Sequence, residues 1–125
     1  MGRIRQMIDV KNKESWTLFD TGSRNTYITT DVASKLATSK LSHAIRTGLG
    51  GETKQVHQTA LLEANVEGHQ ISTHAMVVEK IGTDEEGKPI EILFGALAMQ
   101  QWGIRLNPEE EKIDLSHYPE EFIEF

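Results

Sequence analysis

Cysteine is absent from this chain of 125 residues, which excludes disulfides and thiolate metal sites. The absence fits a reducing compartment, and a cytoplasmic location is the expectation. No apolar run approaches the roughly 20 residues that cross a bilayer. The N-terminus shows no apolar segment of the secretory-signal kind, so no membrane partner is expected. Positive charge is not in excess either. The net charge is −6, and its distribution is uneven. Residues 1–106 hold 12 basic and 12 acidic side chains, whereas residues 107–125 hold seven acidic and one basic. The body thus lacks the basic footprint of a nucleic-acid binder, and the acidic excess belongs to the end of the chain, which reads as a solvated tail. Internal repeats and low-complexity runs are also missing. The five histidines show no His-Glu-x-x-His or comparable spacing. His69 and His74 fall on opposite faces of any strand, so neither a metal nor a cofactor is expected.

What is present is an ordinary globular composition, 38% hydrophobic and 26% charged, in a chain long enough for one domain with its own core. The expected division is a body over 1–115 and an acidic tail over 116–125. Arg3 to Val10 alternates and reads as a strand, followed by a polar turn, Lys11 to Glu14, and a strand from Ser15 to Phe19. Thr29 or Thr30 can cap a short helix over 31–38, with Val32 and Leu36 four residues apart. His43 to Thr59 reads as a hairpin around Gly48-Leu49-Gly50-Gly51, and Thr59–Val66 with Gln70–Glu79 as a second. Ile81 to Pro89 reads as a loop, in which Gly82 to Lys88 have nothing to bury. Ile90–Phe94 is a strand, Gly95 opens a short helix from Ala96 to Trp102, and Gly103 ends it. Ile104–Leu106 and Lys112–Leu115 form a last hairpin around Asn107-Pro108. Short strands, short connections and brief helices imply a mostly antiparallel all-β, barrel-like domain.

One triplet carries chemistry. Asp20-Thr21-Gly22, followed by Ser23, stands directly after the apolar pair Leu18-Phe19, where a strand should end. All four residues are turn formers, and such a triplet arises by chance in roughly two per cent of chains this long. Its setting adds weight: the glycine-rich tip Gly48–Gly51 follows, then Leu93-Phe94-Gly95. In that order, over about Thr17 to Leu115, the chain resembles the retropepsin-like aspartic protease family. Thr26-Tyr27-Ile28-Thr29 with Val32-Ala33 and Leu36 also resembles cellular and retroelement members.

The resemblance implies a definite chemistry. Metal-free peptide hydrolysis needs a base to activate water and an acid to polarise the carbonyl. Two carboxyl groups that share a proton supply both, because they cannot both ionise at close range. Asp20 is the implied catalytic group. Thr21 is implied to bond across to the other loop's backbone, and Gly22 to let backbone approach the carboxylate. Only one triplet occurs, so the resemblance implies a homodimer with one Asp20 from each copy and an extended peptide or protein as substrate. Ser23 and Asn25 are the implied substrate contacts beside the triplet. Gly48, Leu49, Gly50 and Gly51 are the implied flap over the substrate. Tyr118-Pro119 is a candidate self-processing or docking site. Ser23, placed beside the carboxyl, could donate a hydrogen bond to it, from which an acidic optimum is expected.

Two departures from retroviral members stand out. Arg24 and Ala96 occupy positions that often hold an Asp and its Arg partner. Other readings stay open on sequence alone: a silent dimeric peptide-binding domain of the same fold, and a phosphate loop of the Asp-x-Gly-Thr kind. The second needs two large lobes, for which the chain is too short.

Overall fold

The computed structural model describes residues 2–124. Strand β1 (Arg3–Val10) turns into β2 (Lys13–Asp20) through Lys11 and Asn12, at φ of 51° and 67°. Two left-handed residues in a two-residue turn match the twist of paired strands. The hairpin is therefore tighter than the four-residue turn expected, and pairing runs from Val10–Lys13 to Arg3–Asp20.

A loop over 21–26 leads to β3 (Tyr27–Thr29), a strand the sequence pattern did not reveal, and to α1 (Thr30–Ala33). Thr29 caps α1, its hydroxyl accepting from the Val32 amide. The helix is shorter than the expected 31–38. Beyond Ser34 the amides of Lys35 and Leu36 bond three residues back, and Thr38 already pairs with Ala60 in β4 (Thr38–Leu49). Strand pairing overrides helical periodicity here. β4 also begins before the expected His43, because its register against β5 shifts between Lys40 and Ile45 and blurs the alternation. The two expected hairpins share one strand, β5 (Glu52–Val66), which pairs with β4 on one side and β6 (His69–Val78) on the other. Then follow β7 (Ile92–Phe94), α2 (Ala96–Trp102), β8 (Arg105–Asn107) and β9 (Lys112–Asp114).

Seven strands form one sheet in the order β1-β2-β7-β3-β6-β5-β4, while β8 and β9 pair separately. The fold is mostly β, as expected. Most pairings are antiparallel, but β2–β7 and β3–β6 are parallel. β7 is threaded between β2 and β3, which run in opposite directions, so it must be parallel to one of them, and it is parallel to β2; the loop joining β2 to β3 must then pass its end. A single bridge, Asp9–Asn65, joins β1 to β5 and draws the sheet round.

Alternation along these strands builds two cores. Phe19, Ile28, Ile92 and Phe94 face one, with Phe19 and Phe94 rings 5.0 Å apart. Leu18, Tyr27 and Leu93 face the other. The first core is extended by α2 and by the end of the chain. Trp102 on α2 donates to the Ser72 carbonyl at 2.7 Å, and Tyr118 stacks on Trp102 at 5.8 Å while its hydroxyl donates to the Gln70 carbonyl. Phe122 meets Trp102 edge-on at 5.5 Å. Tyr118 is thus anchored on the body rather than extended. Among the described residues no helix is long and apolar enough to cross a membrane.

The tightest point of the threading is Gly95. A Cβ there would lie 2.6 Å from the Asn25 carbonyl carbon and 2.8 Å from the Arg24 carbonyl oxygen, both backbone atoms that cannot swing aside. Gly95→Ala should lower the unfolding free energy by about 1–3 kcal/mol, the usual cost of forcing a methyl into filled space. Urea denaturation of the two proteins measures it, and equal midpoints would mean that the loop yields freely.

Candidate active site

Asp20 is the last residue of β2, and its position follows from the strand. Leu18 and Phe19 are buried on opposite faces, so β2 is held from both sides up to the residue before the carboxylate. The Gly22 amide donates to Asp20 Oδ1 at 2.8 Å, and the Ser23 amide donates to the Asp20 carbonyl at 3.1 Å. The Gly22 amide is a fixed donor, so it holds the carboxylate in one orientation, while the Ser23 amide closes the turn of the main chain. A Cβ on residue 22 would sit 3.1 Å from Oδ1, tight enough to disturb that bond.

The loop after Asp20 is stapled at its far end by α2. The amides of Ala96 and Leu97, which a helix leaves without internal partners, donate to the carbonyls of Ser23 at 2.6 Å and Arg24 at 3.1 Å. The Gly95 amide donates to the buried Thr26 hydroxyl at 3.0 Å, and the Met76 amide to the Thr26 carbonyl at 2.9 Å. Thr26 therefore closes the loop against two strands at once. At the near end the Thr21 amide donates to the Gly2 carbonyl at 2.8 Å. The Thr21 hydroxyl reaches that same oxygen at 3.4 Å, a long contact for a hydroxyl.

Ser23 does not serve Asp20. Its hydroxyl donates to the Asn25 carbonyl at 2.9 Å, so its single proton is already used within the loop. The expectation of an acidic optimum built on Ser23 loses its premise. The group that does reach the carboxylate is Arg3, which sequence reasoning missed. Its Nε lies 3.3 Å from Asp20 Oδ2, and it pairs opposite Asp20 in the β1–β2 register. The alternation of β1 was legible, but the two-residue turn that sets this register was not. Among the described residues Arg3 is the only charged partner of Asp20.

The glycine-rich tip comes to the same side of the molecule. Gly50 and Gly51, at φ of 61° and 81°, form the two-residue turn between β4 and β5. Leu49, one residue before, is folded down onto the second core with Leu18, Ile81, Ile90 and Leu93. The Tyr27 and Thr47 hydroxyls share a hydrogen bond that ties β4 to the strand after the loop. Leu49 and Gly50 thus border a cleft of about 450 Å³ that also touches Arg3, Leu18 and Leu93. Gly48 and Gly51 stand clear, with nothing within 4 Å of an added Cβ. Asn25 lines a different hollow, with Arg24, His74 and Leu97. Asp20, Thr21, Gly22 and Ser23 therefore form one continuous loop, the tip faces its neighbourhood, and Asn25 looks to the α2 side.

The loop over 81–89, expected to be featureless, is organised by Asp84. Its Oδ1 accepts from the Glu86 and Lys88 amides at 2.9 Å each, and its Oδ2 from Trp16 Nε1 at 3.0 Å. Lys88 covers the Trp16 ring at 4.1 Å. Ile81 and Ile90, at the two ends of the loop, are buried in the second core. The Asp-Glu-Glu-Gly run looks like plain turn chemistry, and its tryptophan partner lies 68 residues away.

A family model described as aspartyl protease matches residues 7–97. A search of curated protein sequences returns no match. Among solved structures the chain is similar to the retroviral protease-like domain of Ddi1 from Leishmania major, with a TM-score of 0.65, 10% identity, and 93% of this chain and 90% of that one covered. It is also similar to EIAV protease in complex with an inhibitor (TM-score 0.54, 20% identity, covering 85% and 93%). A third likeness is to the foamy viral protease-reverse transcriptase in complex with an RNA/DNA hybrid. There the TM-score is 0.56 and the identity 13%, covering 80% of this chain and 12% of that one. These likenesses lie at the level of fold.

The Lys88 amide, then burial acting the opposite way, then Trp16, set the ionisation of Asp84, with a net shift below the ordinary carboxyl value of 3.8. A depressed folded-state value means the loop is stabilised above pH 3.8 and loses that support as pH falls through the lower, folded value. The amide resonance of Lys88 should titrate with a midpoint below 3.8, and in Asp84→Ala the amides of Glu86 and Lys88 should exchange faster with solvent. A midpoint at or above 3.8 would show that the carboxylate does not hold the loop.

Proposed function

We propose that this chain, which belongs to the aspartyl protease family, is a homodimeric aspartic endopeptidase with Asp20 as its catalytic residue. The observation that carries the reading is the Asp20 loop itself: a carboxylate fixed by the Gly22 amide, in a loop stapled by α2 and matched by the family model. The chain supplies one such carboxyl, and the chemistry needs two. A second copy supports both needs. Thr21 and Gly22 are exposed in the single chain, and beside them runs a hollow of about 460 Å³ between Gly2, α2 and Leu106. A partner related by a two-fold axis would cover this face and bring its own Asp20 to the first.

In that pair one carboxylate takes a proton from water, and the water oxygen bonds to the scissile carbonyl carbon. The other carboxyl gives its proton to the carbonyl oxygen. Collapse of the tetrahedral intermediate breaks the C–N bond, and the amine nitrogen leaves with a proton from the pair. The glycine-rich tip would act as the flap over the peptide. Gly50 and Gly51 give it backbone freedom at positive φ, and Leu49 gives it an apolar contact. The substrate would be extended and held largely by backbone hydrogen bonds, with alternate side chains in pockets.

A second reading, a silent dimeric peptide-binding domain, is favoured by one observation. Arg3 occupies Oδ2 of Asp20, an oxygen that the shared proton would need.

Asp20→Asn separates the two readings. It should abolish hydrolysis of a mixed peptide library while sedimentation still reports a dimer, because one substitution removes both carboxyls. If the parent protein cleaves nothing across the acidic to neutral range, the silent reading holds. If Asp20→Asn cleaves as well as the parent, Asp20 is not catalytic. Activity should also fall more steeply than linearly on dilution, since each site needs two chains. An active species sedimenting as a monomer would rule out the shared site.

A further inference from the structure

The cleft beside Asp20 has an apolar floor and a cationic rim, and the rim has no use in the chemistry just described. Leu18, Ile81, Ile90 and Leu93 form the floor and Leu49 of the tip rests on it, each buried. The charged groups that line the same cleft are Arg3, Lys54 and Lys80, against one acid, Glu52. The four differ in how far they are already satisfied. Arg3 is held by Asp20 at 3.3 Å. Lys54 Nζ lies 3.8 Å from Glu52 Oε1, at the outer limit of an ion pair, and the Glu52 side chain is itself largely in solvent. Lys80 makes no ion pair and no side-chain hydrogen bond among the described residues. It sits directly before Ile81 and lines the same cleft.

The neighbouring hairpin adds to this asymmetry. From Thr38 to Gln58 the arm carries Lys40, Arg46 and Lys54 against Glu52 alone, although the whole chain is acidic. Almost all of β4 is exposed, so its cations face solvent and whatever the arm covers. A groove with an excess of one sign of charge over an apolar floor concentrates ligands of the other sign.

The geometry points to a substrate class. The cleft selects extended peptides that carry an apolar side chain for the floor and an Asp or Glu within two residues of it, with Lys80 as the specificity-determining cation and Lys54 beside it. In an extended chain neighbouring side chains alternate in direction and next-neighbours share a face. A carboxylate one or two residues from the seated side chain can therefore reach the rim without leaving the strand. This inference deepens the endopeptidase reading and rests on it for the location of the cleft. It does not depend on turnover, because the rim would select acidic peptides for a silent binder as well.

The test uses matched peptides with a central apolar pair and Glu, Gln or Lys placed in turn at each position within two residues of it, at about pH 6, where a free Glu side chain is ionised. Binding to the Asp20→Asn dimer is measured by fluorescence anisotropy, and cleavage by the parent protein in parallel. At the best position affinity should fall in the order Glu, Gln, Lys, by about three- to tenfold across the series at low salt, as for a partly exposed ion pair. The spread should shrink at high salt. Lys80→Glu should reverse the order, and Lys80→Ala should flatten it. Equal affinities at every position, a preference for Lys, no binding of any of the peptides, or an order unchanged in Lys80→Glu would overturn the inference. Charge-selected binding without cleavage would leave it standing and remove the endopeptidase. Cleavage indifferent to charge would do the reverse.

Discussion

The site depends on one packing constraint, the passage of β7 between β2 and β3. Because β7 fills that gap, the chain joining β2 to β3 must cross the end of β7, and residue 95 has no room for a side chain against the Asn25 carbonyl. The same passage delivers the first amides of α2 to the carbonyls of Ser23 and Arg24. A polar loop that would otherwise leave acceptors unpaired is satisfied by an element whose amides lie 73 residues further along the chain than the carbonyls they bond. The carboxylate's orientation is then a local matter of the Gly22 amide, but the platform under it is not local. Separating Asp20-Thr21-Gly22 from Gly95 would leave a turn, not a site.

The glycine-rich tip illustrates a second balance. Gly50 and Gly51 permit the turn, while Leu49 is buried in the second core. Fully burying a leucine side chain is worth about 1.5–3 kcal/mol, so lifting the tip away without replacement is unfavourable by a similar amount. A peptide whose apolar side chain takes the place of Leu49 on Leu18, Ile81 and Leu93 would offset that cost. In this arrangement the resting tip and the ligand compete for one apolar floor. Lys80, at the edge of that floor, makes no ion pair among the described residues and does not compete for the floor.

Much of this was legible in the sequence. The end of β2, the turn chemistry of the triplet, the glycine tip and the α2 boundaries between Gly95 and Gly103 are set by nearest neighbours, and propensity and glycine placement reveal them. The features that escaped have long-range causes. β3 is three residues long and exists because β7 and β6 flank it. The true length of α1 is decided by the pairing of Thr38 with Ala60. The contact of Arg3 with Asp20 follows from a hairpin register, and the order in 82–88 follows from the side chain of Trp16. Ser23 was misassigned for a related reason: a hydroxyl beside a carboxylate has several acceptors in reach, and the loop's curvature, imposed by α2, turns it towards Asn25.

The two tryptophans of the chain end up as natural reporters of two separate regions. Trp16 has its indole N–H on Asp84 and Lys88 over its ring, so its emission reads the loop that walls the cleft. Trp102 is covered by Tyr118 and Phe122, so its emission reads the last part of the chain against α2. One indole is buttressed by charge and the other by aromatic rings. The two environments should be separable in a single spectrum once either tryptophan is replaced by phenylalanine, giving an intrinsic probe of cleft and terminus that needs no added label.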